Sequence, residues 1–212
     1  MPRPGRSGRY HHGDLRAALI DTAIEIIGER GVRGFSLAEA SRRLGVASSA
    51  PYAHFADRDD FLAAVAVHGY ELFNTQFLPE QNEFPGPADR LAAVVRAYVR
   101  FAGAHRPLFE VIFVAGLDKT RHPEVKAAEK TFEAAYMDSV RALSAGADGS
   151  PDAAECDDLV AAVEAAAYGH AMLLFEGDYG EGGEAIELAA GRAARATLAL
   201  IEGRRLLRRQ TP

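Results

Sequence analysis

Apolar residues return at every third or fourth position along most of the chain, the spacing of helix faces that pack against a core. Leu15, Ala18, Leu19, Ala23, Ile26 and Ile27 form one such stripe, with Asp14 placed to cap it and Gly31 placed to end it. Ser36 followed by Glu39 is a capping-box pattern and predicts a short helix over residues 37–44, broken by Gly45. Ser48 or Ser49 then caps a third short helix running through Phe55, with Pro51 in its first turn, where a missing N–H costs little. Asp57 caps a fourth, carrying Phe61, Leu62, Val65, His68, Leu72 and Phe73 and stopping before Pro79. Pro79, Pro85, Gly86 and Pro87 mark residues 78–87 as a loop, the visible joint between two groups of helices. Further helices are predicted over residues 88–104, 107–115, 123–143, 153–176 and 184–207, the last two split by the glycine-rich turn 177–183. No period-two alternation interrupts this, alanine is abundant and β-branched residues are sparse, so the expected class is all-α.

Residues 36–55 are the most informative. A short helix, a small residue at Ser41, Gly45 four positions on, apolar Val46 and a second short helix make a helix-turn-helix pattern. Val46 and Phe55 are placed to anchor the second helix on the first. Its other face, with Ser48, Ser49, Tyr52 and His54, is left polar, as a helix entering a major groove requires. Charge sharpens the picture. The chain of 212 residues has net charge −6, yet residues 1–60 hold nine arginines against eight acids, and Arg3, Arg6, Arg9 and Arg16 face only Asp14 within the first sixteen. A basic head on an acidic body suits a protein that meets phosphate at one end. Residues 1–13, rich in Gly and Pro and without apolar period, read as a flexible arm rather than a secretory signal.

The stretches Tyr10-His11-His12-Gly13-Asp14-Leu15-Arg16, Gly31-Val32-Arg33-Gly34-Phe35-Ser36, Leu44-Gly45-Val46 and Pro51-Tyr52-Ala53-His54-Phe55, with Asp57-Arg58-Asp59-Asp60-Phe61-Leu62 after them, together resemble the tetracycline-repressor family. The resemblance implies an N-terminal three-helix helix-turn-helix domain, residues 1–62, and a C-terminal helical bundle for ligand binding and dimerisation, residues 63–212. It implies DNA contacts from Tyr52 and His54, from Ser36 at a helix N-terminus, from Arg58 where the family has a lysine near phosphate, and from Arg9 in the arm. Ser48 and Ser49 serve equally as caps or base readers. The sequence departs from the family at Ala40, Ser41 and Pro51, which leaves the base-reading pattern illegible. The implied function is a DNA-binding transcriptional regulator, a repressor released from a palindromic double-stranded operator by a small-molecule effector.

The second half supplies candidates for the other two activities. The last two long helices carry broad apolar faces with many small residues, and the family implies that they pair with a second copy as a four-helix bundle, giving a homodimer. An effector cavity between helices would draw on Phe101, Phe109, Phe113, Tyr136, Met137, Tyr168, His170 and Met172, beside Tyr98, Phe132 and Phe175. Cys156 is the single cysteine, so no internal disulfide and no thiolate metal cluster is available, which suits the cytoplasm. The adjacent His11 and His12 lack acidic or thiolate partners for a metal, and no cofactor motif is present. The most apolar run, residues 159–175, is interrupted by Glu164 and His170 and is short of the roughly 20 residues of a membrane span. A phosphate loop and a nucleophile elbow are absent, which argues against an enzyme. A helical interaction protein without DNA binding is the other alternative, opposed by the basic arm. Arg204, Arg205, Arg208 and Arg209 read as a solvated helix end.

Overall fold

A computed structural model describes residues 12–146 and 149–207, with backbone alone at residues 12–14 and 205–207. Arg9, His11, Arg208 and Arg209 lie outside the described residues, as do the side chains of His12 and Arg205. The described residues form eight α-helices: α1 (His12–Arg30), α2 (Leu37–Leu44), α3 (Arg58–Leu72), α4 (Pro87–Ala104), α5 (Arg106–Phe109), α6 (Pro123–Leu143), α7 (Ala153–Glu176) and α8 (Gly182–Leu207). No strand occurs among them, and a lone bridge joins Ala145 to Pro151. The all-α expectation therefore holds.

Boundaries follow local chemistry. Ser36 accepts the Glu39 N–H at 3.2 Å, and Asp57 and Asp152 cap α3 and α7 in the same way. The capping box at α2 is one-sided, because the Glu39 carboxylate turns to Arg42 and Arg43. Gly45 closes α2 in the left-handed region (φ 68°), with Gly45 N–H bonded to Arg42 O and Val46 N–H to Ser41 O, a Schellman arrangement. Asp14 does not cap the first helix, which is already helical from His12.

Two predicted segments differ. The third short helix is a 3₁₀ turn over Ala50–Ala53 rather than an α-helix through Phe55. Pro51 has no N–H to give to Ala47 O, which instead accepts from Ala50 at 2.9 Å, so the chain tightens to i→i−3 bonds. The expected loop over residues 78–87 is partly ordered. From Leu72 the chain continues through a π turn (Phe73–Phe77) and a 3₁₀ segment (Leu78–Glu83) before α4 begins. A second π turn (Glu110–Val114) extends α5.

The N-terminal core is built on Phe61, which packs on Phe55 at 4.2 Å and Phe35 at 5.0 Å between ring centroids; all three are buried. In the larger part α4 is central, packed against α6, α7 and α8. The two parts share α3, and α1 packs on α5. At Gly69 the approach is close: a Cβ there would stand 2.6 Å from Ile112 Cδ1, so α3 lies directly on the π turn after α5. Taken by length and composition alone, α7 is apolar enough to cross a membrane. It carries Glu155, Asp157, Asp158 and Glu164 and packs on α4, α6 and α8.

Candidate nucleic-acid interface and effector cavity

The turn after α2 displays its polar side chains outward. Ser48 and Ser49 are exposed, and Tyr52 is 59% exposed, the most exposed large hydrophobic residue of the described residues. A tyrosine is left so open at little benefit to folding, while Pro51 and Phe55 on the opposite side of the same turn are buried and fix its position. His54 is half-buried with its ring 6.3 Å from Phe55. Ser36 is exposed at the start of α2, its hydroxyl oxygen occupied by the Glu39 N–H and its O–H left to donate. Arg16, outside the sequence-predicted set, stands over the Phe55 ring at 5.4 Å and brings a cation beside this turn.

Other arginines nearby are committed internally. Arg58 donates to Val32 O at 2.6 Å and Phe35 O at 3.3 Å, tying the α1–α2 connection to the start of α3. Arg43 is held by Glu29 and Glu39, and Arg42 by Glu39. These hydrogen bonds keep the Glu29 and Glu39 carboxyls below their ordinary pKa. Arg204 is also a structural tie rather than a solvated helix end, donating to Leu143 O and Glu155.

A cavity of about 650 Å³ opens between α4, α6 and α7, within the usual range of roughly 300–1,000 Å³ for small-molecule sites. Val94, Val95 and Tyr98 line it from α4, and Phe113 from the second π turn. Glu129, Phe132, Glu133, Tyr136 and Met137 come from α6, and Ala161, Glu164, Ala165, Ala167 and Tyr168 from α7. Of the eleven residues expected from sequence, Tyr98, Phe113, Phe132, Tyr136, Met137 and Tyr168 reach this wall, and Phe101, Phe109, His170, Met172 and Phe175 do not. Phe101 is fully buried against Phe73 and Phe77, and Phe109 against Tyr98, Phe113 and Phe175. His170 points elsewhere, to the Tyr179 hydroxyl, and Met172 is half-buried outside the cavity lining. The three glutamates of the wall were not foreseen.

The polar groups of the wall are unevenly satisfied. Tyr136 donates to Val160 O at 3.3 Å. Glu129 accepts from the Tyr70 hydroxyl at 3.0 Å and is paired with Lys119. Burial, then the charges of Tyr168 and Glu164, raises the Tyr98 pKa well above the usual phenol value; burial and Glu164 do the same at Tyr136.

Two family models match the chain. "Bacterial regulatory proteins, tetR family" covers residues 19–65, and "Tetracyclin repressor-like, C-terminal domain" covers residues 91–199. The chain belongs to the tetracycline-repressor family. It is a transcriptional regulator with an N-terminal helix-turn-helix, not an enzyme. Among curated relatives, an HTH-type transcriptional regulator of Mycobacterium tuberculosis is 28% identical over 152 residues, covering 69% of this chain and 76% of its own. A solved protein from Rhodococcus sp. RHA1 is 26% identical at a TM-score of 0.66, with 91% of this chain and 98% of that one covered. Two other neighbours share the fold at lower identity. AibR, in complex with isovaleryl coenzyme A and operator DNA, is 18% identical (TM-score 0.63, 85% and 96% covered). A regulator from Saccharomonospora viridis, in complex with choline, is 17% identical (TM-score 0.62, 90% and 96% covered).

Proposed function

We propose that this tetracycline-repressor family member is a cytoplasmic repressor. Its homodimer holds a palindromic operator and lets go when a small molecule enters the α4–α6–α7 cavity. The observation that carries the reading is Tyr52, 59% exposed on a turn whose other side is locked into the core by Phe55. Ser36, Ser48, Ser49 and His54 add polar contacts, with Arg16 supplying charge and the arm, including Arg9, adding backbone contacts. Residues 1–62 act as the DNA-binding part and residues 63–212 as the sensing and dimerising part.

The dimer face is the outer side of α7 and α8. Leu173, Leu188 and Leu200 are 39%, 42% and 37% exposed there, beside the small residues Gly169, Gly191 and Ala199 that allow close helix approach. This face also accounts for the apolar length of α7 without a membrane.

The two activities are linked by α3. Its N-terminus follows the recognition turn, and Asp57 and Asp59 there lie 3.7 Å from Arg121 on the segment leading into α6. Further along the same helix the Tyr70 hydroxyl bonds Glu129 in the cavity wall. A ligand that moves Glu129 therefore pulls on the helix that positions Tyr52. By linkage, effector must weaken operator binding by the same factor with which operator weakens effector binding. Neighbours in this fold hold ligands as different as isovaleryl coenzyme A and choline, so the effector's chemistry is to be read from the cavity.

The test is fluorescence anisotropy with a labelled duplex from upstream of the protein's own gene. The wild type should bind in a salt-dependent manner, and Tyr52→Ala should lose at least about tenfold in affinity with an unchanged melting temperature. Equal binding by Tyr52→Ala would overturn the assignment.

A further inference from the structure

The cavity wall has an unusual charge balance. It contains Glu129, Glu133 and Glu164 and no lysine, arginine or histidine. Glu129 is neutralised by Lys119, which stands behind the wall. Glu133 and Glu164 make no ion pair and no hydrogen bond among the described residues, whereas Glu29, Glu39, Glu80, Glu155 and Glu187 are each matched to an arginine. Glu133 on α6 and Glu164 on α7 line the same cavity from two different helices.

Between those carboxylates the wall is aromatic. Tyr98 meets Phe113 edge-on at 4.8 Å, Phe113 meets Phe132 at 6.1 Å, and Phe132 meets Tyr136 at 6.2 Å, so four rings run in unbroken contact around the chamber. Tyr168 adds a fifth ring from α7. The Tyr98 hydroxyl has no hydrogen-bond partner among the described residues, and it is not among the sealed, unsatisfied polar atoms. Ring faces carry negative potential and attract cations, most strongly where water is excluded.

We propose that the effector is a hydrophobic organic cation, an ammonium or phosphonium centre on an apolar body, held among these rings with its charge facing Glu133 and Glu164. This rests on the reading of the cavity as the effector site. A ligand bearing phosphates or carboxylates would add like charge to a wall that has no base to answer it. An uncharged one would leave both carboxylates without a counter-charge. The cation supplies that counter-charge, and it also alters the field around Glu129, the wall residue that holds Tyr70 of α3.

The probes are two pairs matched in shape: tetraphenylphosphonium against tetraphenylborate, and benzyltrimethylammonium against uncharged neopentylbenzene. Calorimetric titration uses the full chain without DNA. At least one cation should bind about tenfold or more tighter than its counterpart. Glu133→Gln and Glu164→Gln should each weaken that cation by about three- to tenfold while leaving neopentylbenzene unaffected. Both glutamates are exposed, so these variants should melt with the wild type, which keeps a lost signal from being a lost fold. Failure of both cations to bind at millimolar concentration, preference for the counterparts, or indifference to both substitutions would each overturn the proposal. A parallel operator titration separates the two readings. Operator binding without cation binding leaves the regulator intact and removes the cation; cation binding without operator binding does the reverse.

Discussion

Replacing Arg58 by alanine separates two roles that sequence and structure give it. In the family's pattern the position lies near phosphate, whereas here the guanidinium is spent on Val32 O at 2.6 Å and Phe35 O at 3.3 Å. Hydrogen bonds to a charged donor contribute about 1.5–3 kcal/mol when dry. The side chain is 41% exposed, and the second bond is long. Solvent screening therefore reduces the pair to about 1–2 kcal/mol in total. For a chain of this length each kcal/mol moves the melting point by about 2–4 °C, so Arg58→Ala should melt about 2–8 °C lower. A phosphate contact leaves a different mark: its removal cuts the slope of log K against log salt by about 0.9. The assay is calorimetric melting beside operator titrations from low to moderate salt. The tie predicts a lower melting point with the salt slope preserved, any loss of affinity being parallel at every salt concentration. An unchanged melting point with a slope smaller by about one would refute the reasoning.

Ser36→Ala should lose about 1 kcal/mol with the cap of α2, whereas Ser36→Asp should keep the cap and melt normally but weaken operator binding by placing a carboxylate against phosphate; calorimetry and anisotropy read the two. Leu173→Glu should shift the molar mass in light scattering from dimer to monomer and abolish high-affinity operator binding without unfolding the chain. Burial lowers the pKa of His105, helped by His68, and of His170, helped by Arg192. A base depressed in the folded state takes up its proton more readily when unfolded, so stability should be full above about pH 6.5 and fall as the pH drops below it. Melting scans from pH 8 to 5.5 check this, and His105→Gln should flatten part of the decline.

Helix positions were legible where one residue decides them. Ser36 and Asp57 cap as their side chains allow, Gly31 and Gly45 end helices with positive φ, and α2, α6 and α7 span the expected residues. The segment after Gly45 takes a 3₁₀ form where the sequence predicts an α-helix, because the effect of Pro51 depends on which carbonyl its missing N–H leaves free. The cavity was half legible. Phe101, Phe109, Phe113 and Tyr136 are all apolar positions on amphipathic stretches, and periodicity cannot say which of them face a void. Glu129 and Glu133, four residues apart on α6, carry no local sign of a cavity. Only the packing of α7 brings Glu164 into the same wall. Arg121 gave no local signal, since its partners Asp57 and Asp59 lie more than sixty residues away.

The central claim is that two copies set the turn around Tyr52 into neighbouring major grooves. Hydroxyl-radical footprinting of the protein on its operator reads this directly. The account predicts two symmetric protected patches about one helical turn apart, roughly 34–36 Å centre to centre, both vanishing with Tyr52→Ala. A single patch, or symmetric patches that survive that substitution, would contradict it.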